Sequence, residues 1–165
     1  MPSLCPSLFL CLILALGQSP PARTLPPDRG RVTLEAARAR LTGEHLAVDK
    51  ASGTITGLAK PAERLEWPFQ VDRDGWYQVV VHYSLKELAN GKKPGFNATV
   101  GDQNRLGPIH PTGDSSRFLP QVLFDPIELK AGSHRLSLKL TPDSVVNGLA
   151  IRKVELVRAP EPGVP

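Results

Sequence analysis

Four stretches of the chain alternate apolar and polar residues with a period of two. Leu65, Trp67, Phe69 and Val71 alternate with Arg64, Glu66, Pro68 and Gln70. Tyr77, Val79, Val81 and Tyr83 alternate with Gln78, Val80 and His82. Phe96, Ala98 and Val100 alternate with Asn97 and Thr99, and Leu136, Leu138 and Leu140 with Arg135, Ser137 and Lys139. This repeat puts one set on a buried face and the other toward solvent, so each stretch predicts a β-strand with its apolar set in the core. Shorter stretches at Val32–Ala36, His45–Val48, Thr54–Leu58, Gln121–Phe124, Ile127–Leu129 and Leu149–Val157 predict further strands. Asp74-Gly75, Asn90-Gly91, Gly101-Asp102 and Ala131-Gly132 fall between the runs, where turns need Gly or Asx geometry. Asp125-Pro126 shifts the phase between Phe124 and Ile127 and predicts a bulge or corner. Pro68 cannot donate to a ladder and predicts an edge position or a bulge. Only Ser84–Asn90 reads as helical, with Leu88 as a plug for the core. Many short strands at regular spacing predict an all-β fold, an antiparallel β-sandwich or jelly roll, in a single domain over 31–158.

The 165 residues suffice for one domain with a core. An apolar run, Leu8–Phe9–Leu10 and Leu12 to Leu16, ends at the small residues of Ala15-Leu16-Gly17. It is too short to span a bilayer, and although no Lys or Arg precedes it, it predicts a signal peptide over 1–17 and a secreted or extracytoplasmic protein. Residues 18–30 hold four prolines and predict a stiff linker, and 159–165 a frayed tail. Cys5 and Cys11 both lie in the leader, so the mature domain has no thiol chemistry. The net charge of +4 is scattered over Arg38, Arg40, Lys92, Lys93, Arg152 and Lys153 with acidic residues between. There is no basic block interleaved with aromatics, which argues against nucleic acid as a partner.

Reactive constellations are missing. His45, His82, His110 and His134 are far apart, and no His-Glu-x-x-His pair, Gly-x-Ser-x-Gly elbow or Gly-rich phosphate loop occurs. Asp72-x-Asp74-Gly75 reads as a hairpin turn rather than a calcium loop, since the later ligands are absent. Glu63 and Glu66 point to opposite faces under strict alternation, so they do not form a glycosidase cleft. These features predict a non-catalytic chain without a cofactor or metal. Trp67 belongs with the core. Trp76, next to core-facing Tyr77, points outward, either as an anchor for a ligand or as a cap on the sandwich edge. Arg105, His110 and Asp114 lie in a long 101–117 loop, and Asn147 in a loop over 143–148, where ligand groups would sit. Asn97-Ala98-Thr99 is a glycosylation acceptor pattern with Asn97 facing outward.

The order of segments resembles the galactose-binding-like jelly rolls of the carbohydrate-binding module 6/35 group. The resemblance rests on Val32-Thr-Leu-Glu35-Ala36, on Leu65-Glu-Trp67-Pro-Phe69-Gln-Val71 followed by Gly75-Trp-Tyr77-Gln-Val79, and on Pro111-Thr112-Gly113 before Phe118. It rests above all on Ile127-Glu-Leu129-Lys-Ala131-Gly132 before an alternating strand. It implies a binding module for a polysaccharide or cell-surface glycan. The alternative is an extracellular structural or protein-interaction sandwich that has lost its sugar cleft. The group's two sugar-stacking aromatics fall by spacing on Ser115 and near Leu58, neither aromatic. Its Asn falls on Ala150, with Asn147 three residues earlier. Its calcium ligands fall on Glu35, Ala37 and Arg152; a cation cannot ligate calcium, so an ion pair between Glu35 and Arg152 is expected in place of the metal.

Overall fold

The computed structural model describes residues 30–88 and 93–163. The expected signal peptide, almost all of the Pro-rich linker, and the Asn90-Gly91 turn lie outside these residues. Among the described residues the chain runs through twelve strands. These are β1 (Arg31–Glu35), β2 (Arg40–Thr42), β3 (Ala47–Asp49), β4 (Thr54–Thr56), β5 (Arg64–Val71), β6 (Gly75–Ser84), β7 (Gly95–Val100), β8 (Gln103–Pro108), β9 (Leu119–Val122), β10 (Ile127–Leu129), β11 (Gly132–Leu140) and β12 (Ala150–Ala159). A single 3-10 turn, Ala36–Arg38, follows β1.

Two antiparallel sheets face each other. In the first, β6 and β12 lie side by side, with Ser84 opposite Ala150 and Trp76 opposite Ala159. β9 and β10 share the far edge of β6; β1 and β4 share the far edge of β12; β3 closes on β4. The second sheet runs β2-β5-β11-β7-β8. The alternation translates directly into burial. Leu65, Trp67, Phe69 and Val71 are buried, while Arg64, Pro68 and Gln70 are exposed. Leu136, Leu138 and Leu140 meet them from β11, and Tyr77, Val79, Val81 and Tyr83 face them from the first sheet. Tyr83 and Phe96 join the sheets edge to face, with ring centroids 5.2 Å apart. Trp67 is in the core, and its indole N–H donates to the Glu35 carbonyl at 2.9 Å.

The phase shift at Asp125-Pro126 is a corner. Leu123 N–H bonds the Val79 carbonyl and Ile127 stands opposite Tyr77, so Phe124, Asp125 and Pro126 are fitted opposite Gln78 alone. Asp125 takes φ 56° there. Pro68 lies beyond the reach of β2, which pairs only with Arg64–Glu66, so β5 has one neighbour at that point. The expected helix at Ser84–Asn90 does not form over its described part. Ser84 ends β6, and the Leu85 N–H and carbonyl are both bonded by Thr112, which draws the chain away from a helical path. Leu88 packs against the core.

Two strands were not legible. β2 is three residues long. β8 occupies part of the expected 101–117 loop and lacks an apolar repeat, because its inward-facing residues are Gln103 and Arg105. Their polar groups bond the other sheet: Gln103 accepts from Glu128 N–H at 2.9 Å and donates back to the Glu128 carbonyl, while Arg105 donates to the Pro126 carbonyl at 2.8 and 3.0 Å. Polar side chains thus replace apolar contacts at this edge of the sandwich.

Replacing Leu138 by Ala leaves a cavity in the middle of β11, where the side chain is fully buried. A loss of about 2–5 kcal/mol is expected in urea unfolding.

Candidate functional site

One end of the sandwich gathers the loops that follow β4, β6, β8 and β11. A buried carboxylate organises them. Glu63, with 4% of its side chain exposed, accepts the N–H groups of Ala59 (2.7 Å) and Lys60 (2.9 Å) on one oxygen and meets His45 Nδ1 at 2.9 Å with the other. Burial alone would raise its pKa, but the two amides and the histidine outweigh it and hold the carboxyl below the ordinary glutamate range. The loop passes close to its neighbour at Gly57. A Cβ there would sit 1.9 Å from the His45 carbonyl oxygen, and φ is +88°, so only glycine fits. Val146 N–H bonds the Ala59 carbonyl at 3.2 Å and ties the 141–149 loop to the same base. Between the two loops lies a depression of about 330 Å³, lined by His45, Gly57, Leu58, Lys60, Val146 and Asn147 among others. Leu58 and Val146 are buried; His45, Lys60 and Asn147 are exposed. The depression therefore rests on side chains that belong to the core and carries hydrogen-bonding groups at its rim.

The adjoining 109–118 loop is fixed by backbone anchors. The Tyr83 hydroxyl donates to the His110 carbonyl and accepts from its N–H, both at 2.9 Å. Ser84 donates to the Ser115 carbonyl at 2.6 Å, and the Thr112 hydroxyl donates to the Asp114 carbonyl at 2.8 Å. Asp114 accepts from Ser116 N–H and hydroxyl at 2.7 and 2.9 Å, which lowers its pKa.

No protein-family model and no curated protein matches the chain. Solved structures do. A family 35 carbohydrate-binding module from Clostridium thermocellum superposes with a TM-score of 0.63 at 12% identity, covering 78% of this chain and 98% of that one. A cycloisomaltooligosaccharide glucanotransferase of Paenibacillus sp., complexed with cycloisomaltoheptaose, gives 0.62 at 19% identity over 76% of this chain. The GH26-CBM35 β-(1,4)-mannanase of Podospora anserina gives 0.57 at 23% identity over 81%. The fold is that of a carbohydrate-binding module. The chain spans only 18% and 29% of the two enzymes, but nearly the whole length of the isolated module.

The residues singled out from the sequence do not converge. Asn147 lines the depression, and His110 and Asp114 lie at the same end. Leu58 and Ser115, where the resemblance places the stacking aromatics, are also at this end. Trp76 is at the opposite end, half-buried, between Glu128 and Ala159. Arg105 belongs to β8, not to a loop, and its guanidinium is taken up by the carbonyls of Asn104, Asp125 and Pro126.

The expected Glu35–Arg152 ion pair does not form. Glu35 stands opposite Lys153, whereas Arg152 is the extra residue of a bulge in β12 and stacks its guanidinium 3.9 Å over the Phe118 ring. Lys153 is itself turned to Glu155, a buried carboxylate that also meets His82 at 2.8 Å and Arg31 at 3.5 Å. Glu63 and His45 were missed as site residues. They are 18 positions apart and share no motif, so only the folded chain brings them together.

Gly57→Ala is expected to cost about 2–4 kcal/mol in thermal or denaturant unfolding, because a left-handed backbone and a clash with backbone coincide. Glu63 and Glu155 both have folded-state pKa values below the ordinary range. For Glu155, too, burial opposes the shift, and the bonds from Lys153 and His82 overcome it. The stability they contribute is fully present above the unfolded glutamate pKa of about 4.3 and is lost as pH falls through the lower folded values. The melting temperature should drop between about pH 5 and 3, and the slope should flatten in Glu63→Ala.

Proposed function

We propose that this chain is an exported, non-catalytic carbohydrate-binding module whose sugar sits in the depression between residues 57–60 and 146–149. The observation that carries this reading is the coincidence of a binding-module fold with a loop-end depression rimmed by exposed hydrogen-bonding groups. The ring of hydroxyls on a pyranose suits His45, Lys60 and Asn147, which stand exposed around the depression. His45 contributes as a positioned group, because Glu63 holds Nδ1 and leaves Nε2 for a ligand. Glu63 itself is engaged by two amides, a structural use of the carboxylate that favours binding over hydrolysis. The apolar leader ending at Ala15-Leu16-Gly17 supports export.

A second reading, a protein-interaction sandwich, has its own observation. Leu106, Val122 and Phe124 are exposed where β8 meets the β9 corner, with Phe124 N–H bonded to the Leu106 carbonyl at 2.7 Å.

The test is a glycan array and an insoluble-polysaccharide pull-down with the chain. Asn147→Ala and His45→Ala are expected to weaken the best glycan about tenfold each, close to 1.4 kcal/mol, while Trp76→Ala at the far end leaves binding unchanged. Sensitivity to Trp76→Ala alone would move the site to the other end. Failure of the folded protein to hold any glycan would favour the interaction reading.

A further inference from the structure

The loop between β11 and β12 contains an asparagine followed by a glycine, Asn147-Gly148. Such a pair can react with itself: the main-chain nitrogen of the glycine attacks the side-chain carbonyl carbon of the asparagine and closes a cyclic imide. A folded chain permits this only where the nitrogen is uncrowded, where its N–H is not held in a hydrogen bond, and where the asparagine side chain is free to swing over its own backbone. The loop meets all three conditions. Gly148 has no Cβ, and the point where one would sit has no heavy atom within 4 Å. Its φ of +75° is the left-handed region that favours glycine. Among the described residues the Gly148 N–H has no backbone partner, because the ladder of β12 begins only at Ala150. Asn147 and Gly148 are both exposed. The two other described asparagines lack these conditions. Asn97 is in β7, paired on both sides, and its amide oxygen accepts from the Thr99 hydroxyl at 3.4 Å. Asn104 is in β8, followed by Arg105, whose guanidinium bonds the Asn104 carbonyl at 2.9 Å.

We propose that Asn147 is a site of spontaneous covalent modification in the folded protein, converting to aspartate and isoaspartate. The Gly148 nitrogen loses its proton to solvent base and bonds to Cγ of Asn147. The bond from Cγ to the side-chain nitrogen breaks, and ammonia leaves. Water then adds to one of the two imide carbonyls. Opening at the main-chain side gives isoaspartate, and opening at the side-chain side gives aspartate. Nothing is oxidised or reduced, and water is the only co-reactant. Both products place a carboxylate on the rim of the loop-end depression, which Asn147 lines together with His45 and Lys60. Isoaspartate also adds a methylene to the main chain between two fixed points, Val146, whose N–H bonds the Ala59 carbonyl at 3.2 Å, and buried Leu149. The modification thus reverses the charge balance at the rim and loosens the tie between the two loops. It does not depend on what the depression holds.

The experiment is peptide mapping by mass spectrometry after the folded chain has stood at physiological temperature in neutral and in mildly alkaline buffer, with a urea-unfolded sample alongside. Trypsin, used in mildly acidic buffer so that handling adds no conversion, releases Leu140–Arg152 with Asn147 and, separately, Glu87–Lys92 with the Asn90-Gly91 pair. Leu140–Arg152 should gain the mass difference between an amide NH2 and a hydroxyl, with fragment ions placing it on Asn147. It should also split into two products of equal mass, one of which co-elutes with the peptide from Asn147→Asp. Conversion should be faster in the alkaline buffer, because the attacking nitrogen must lose its proton. The folded rate should lie within about tenfold of the unfolded rate, and Gly148→Ala should slow conversion about tenfold or more by crowding that nitrogen. Asn97 and Asn104, both in the peptide ending at Arg105, should keep their amides in the folded chain. The proposal is overturned if Asn147 keeps its amide in the folded protein while the unfolded chain converts. It is equally overturned if Gly148→Ala reacts at the wild-type rate, or if Asn97 and Asn104 convert as fast as Asn147 in the folded chain.

Discussion

The last described strand, β12, is an inner strand of its sheet. β12 pairs with β6 along nearly its whole length and, on its other side, with β1 and then β4. The first sheet therefore cannot close until residues 150–159 arrive, and the earliest described strand, β1, has no partner before then. Fold assembly depends on this one long-range pairing, which makes most of the sheet's contacts non-local and slow to form. The bulge at Arg152 is a local consequence. It lets β12 keep Ile151 and Val154 in the core while passing from Tyr83 to His82, and it releases one side chain to the surface, where it covers Phe118.

Polar groups do structural work at both ends of this assembly. At the loop end, Glu63 replaces backbone pairing for residues that no strand can reach, and the depression between the loops exists because its carboxylate satisfies Ala59 and Lys60 together. At the β8 edge, Gln103 and Arg105 bond carbonyls of the opposite sheet and close the sandwich where apolar side chains would leave backbone groups unpaired. Glu63, Gln103 and Arg105 thus fasten loops and sheets together. The Asp114 carboxylate fastens its own turn.

The carbohydrate-binding module fold is held without the aromatic pair that the resemblance implies. Leu58 lies under the depression and Ser115 gives its carbonyl to Ser84, so both positions are absorbed into the scaffold. What remains at the loop end is a shallow surface of mixed polarity. A scaffold can keep its topology while its recognition surfaces change, because the apolar core and the exposed residues are set by alternate positions of the same strands.

That alternation is also what the sequence by itself determined. Period-two runs located β5, β6, β7 and β11 with their buried faces, and the Asp125-Pro126 phase break located the corner, because burial on one side of a strand leaves a local signature. The sandwich followed from the number and spacing of such runs. The tertiary structure alone decided the rest. β8 hides from any apolar pattern because its inner face is polar. The helix expected at Ser84–Asn90 gave way to hydrogen bonds from Thr112, 27 residues later. His45 met Glu63, and Arg152 turned to Phe118 rather than Glu35. Each of these depends on which distant strands lie side by side and in what register, and a side chain's partner across a sheet is not written in its neighbours along the chain.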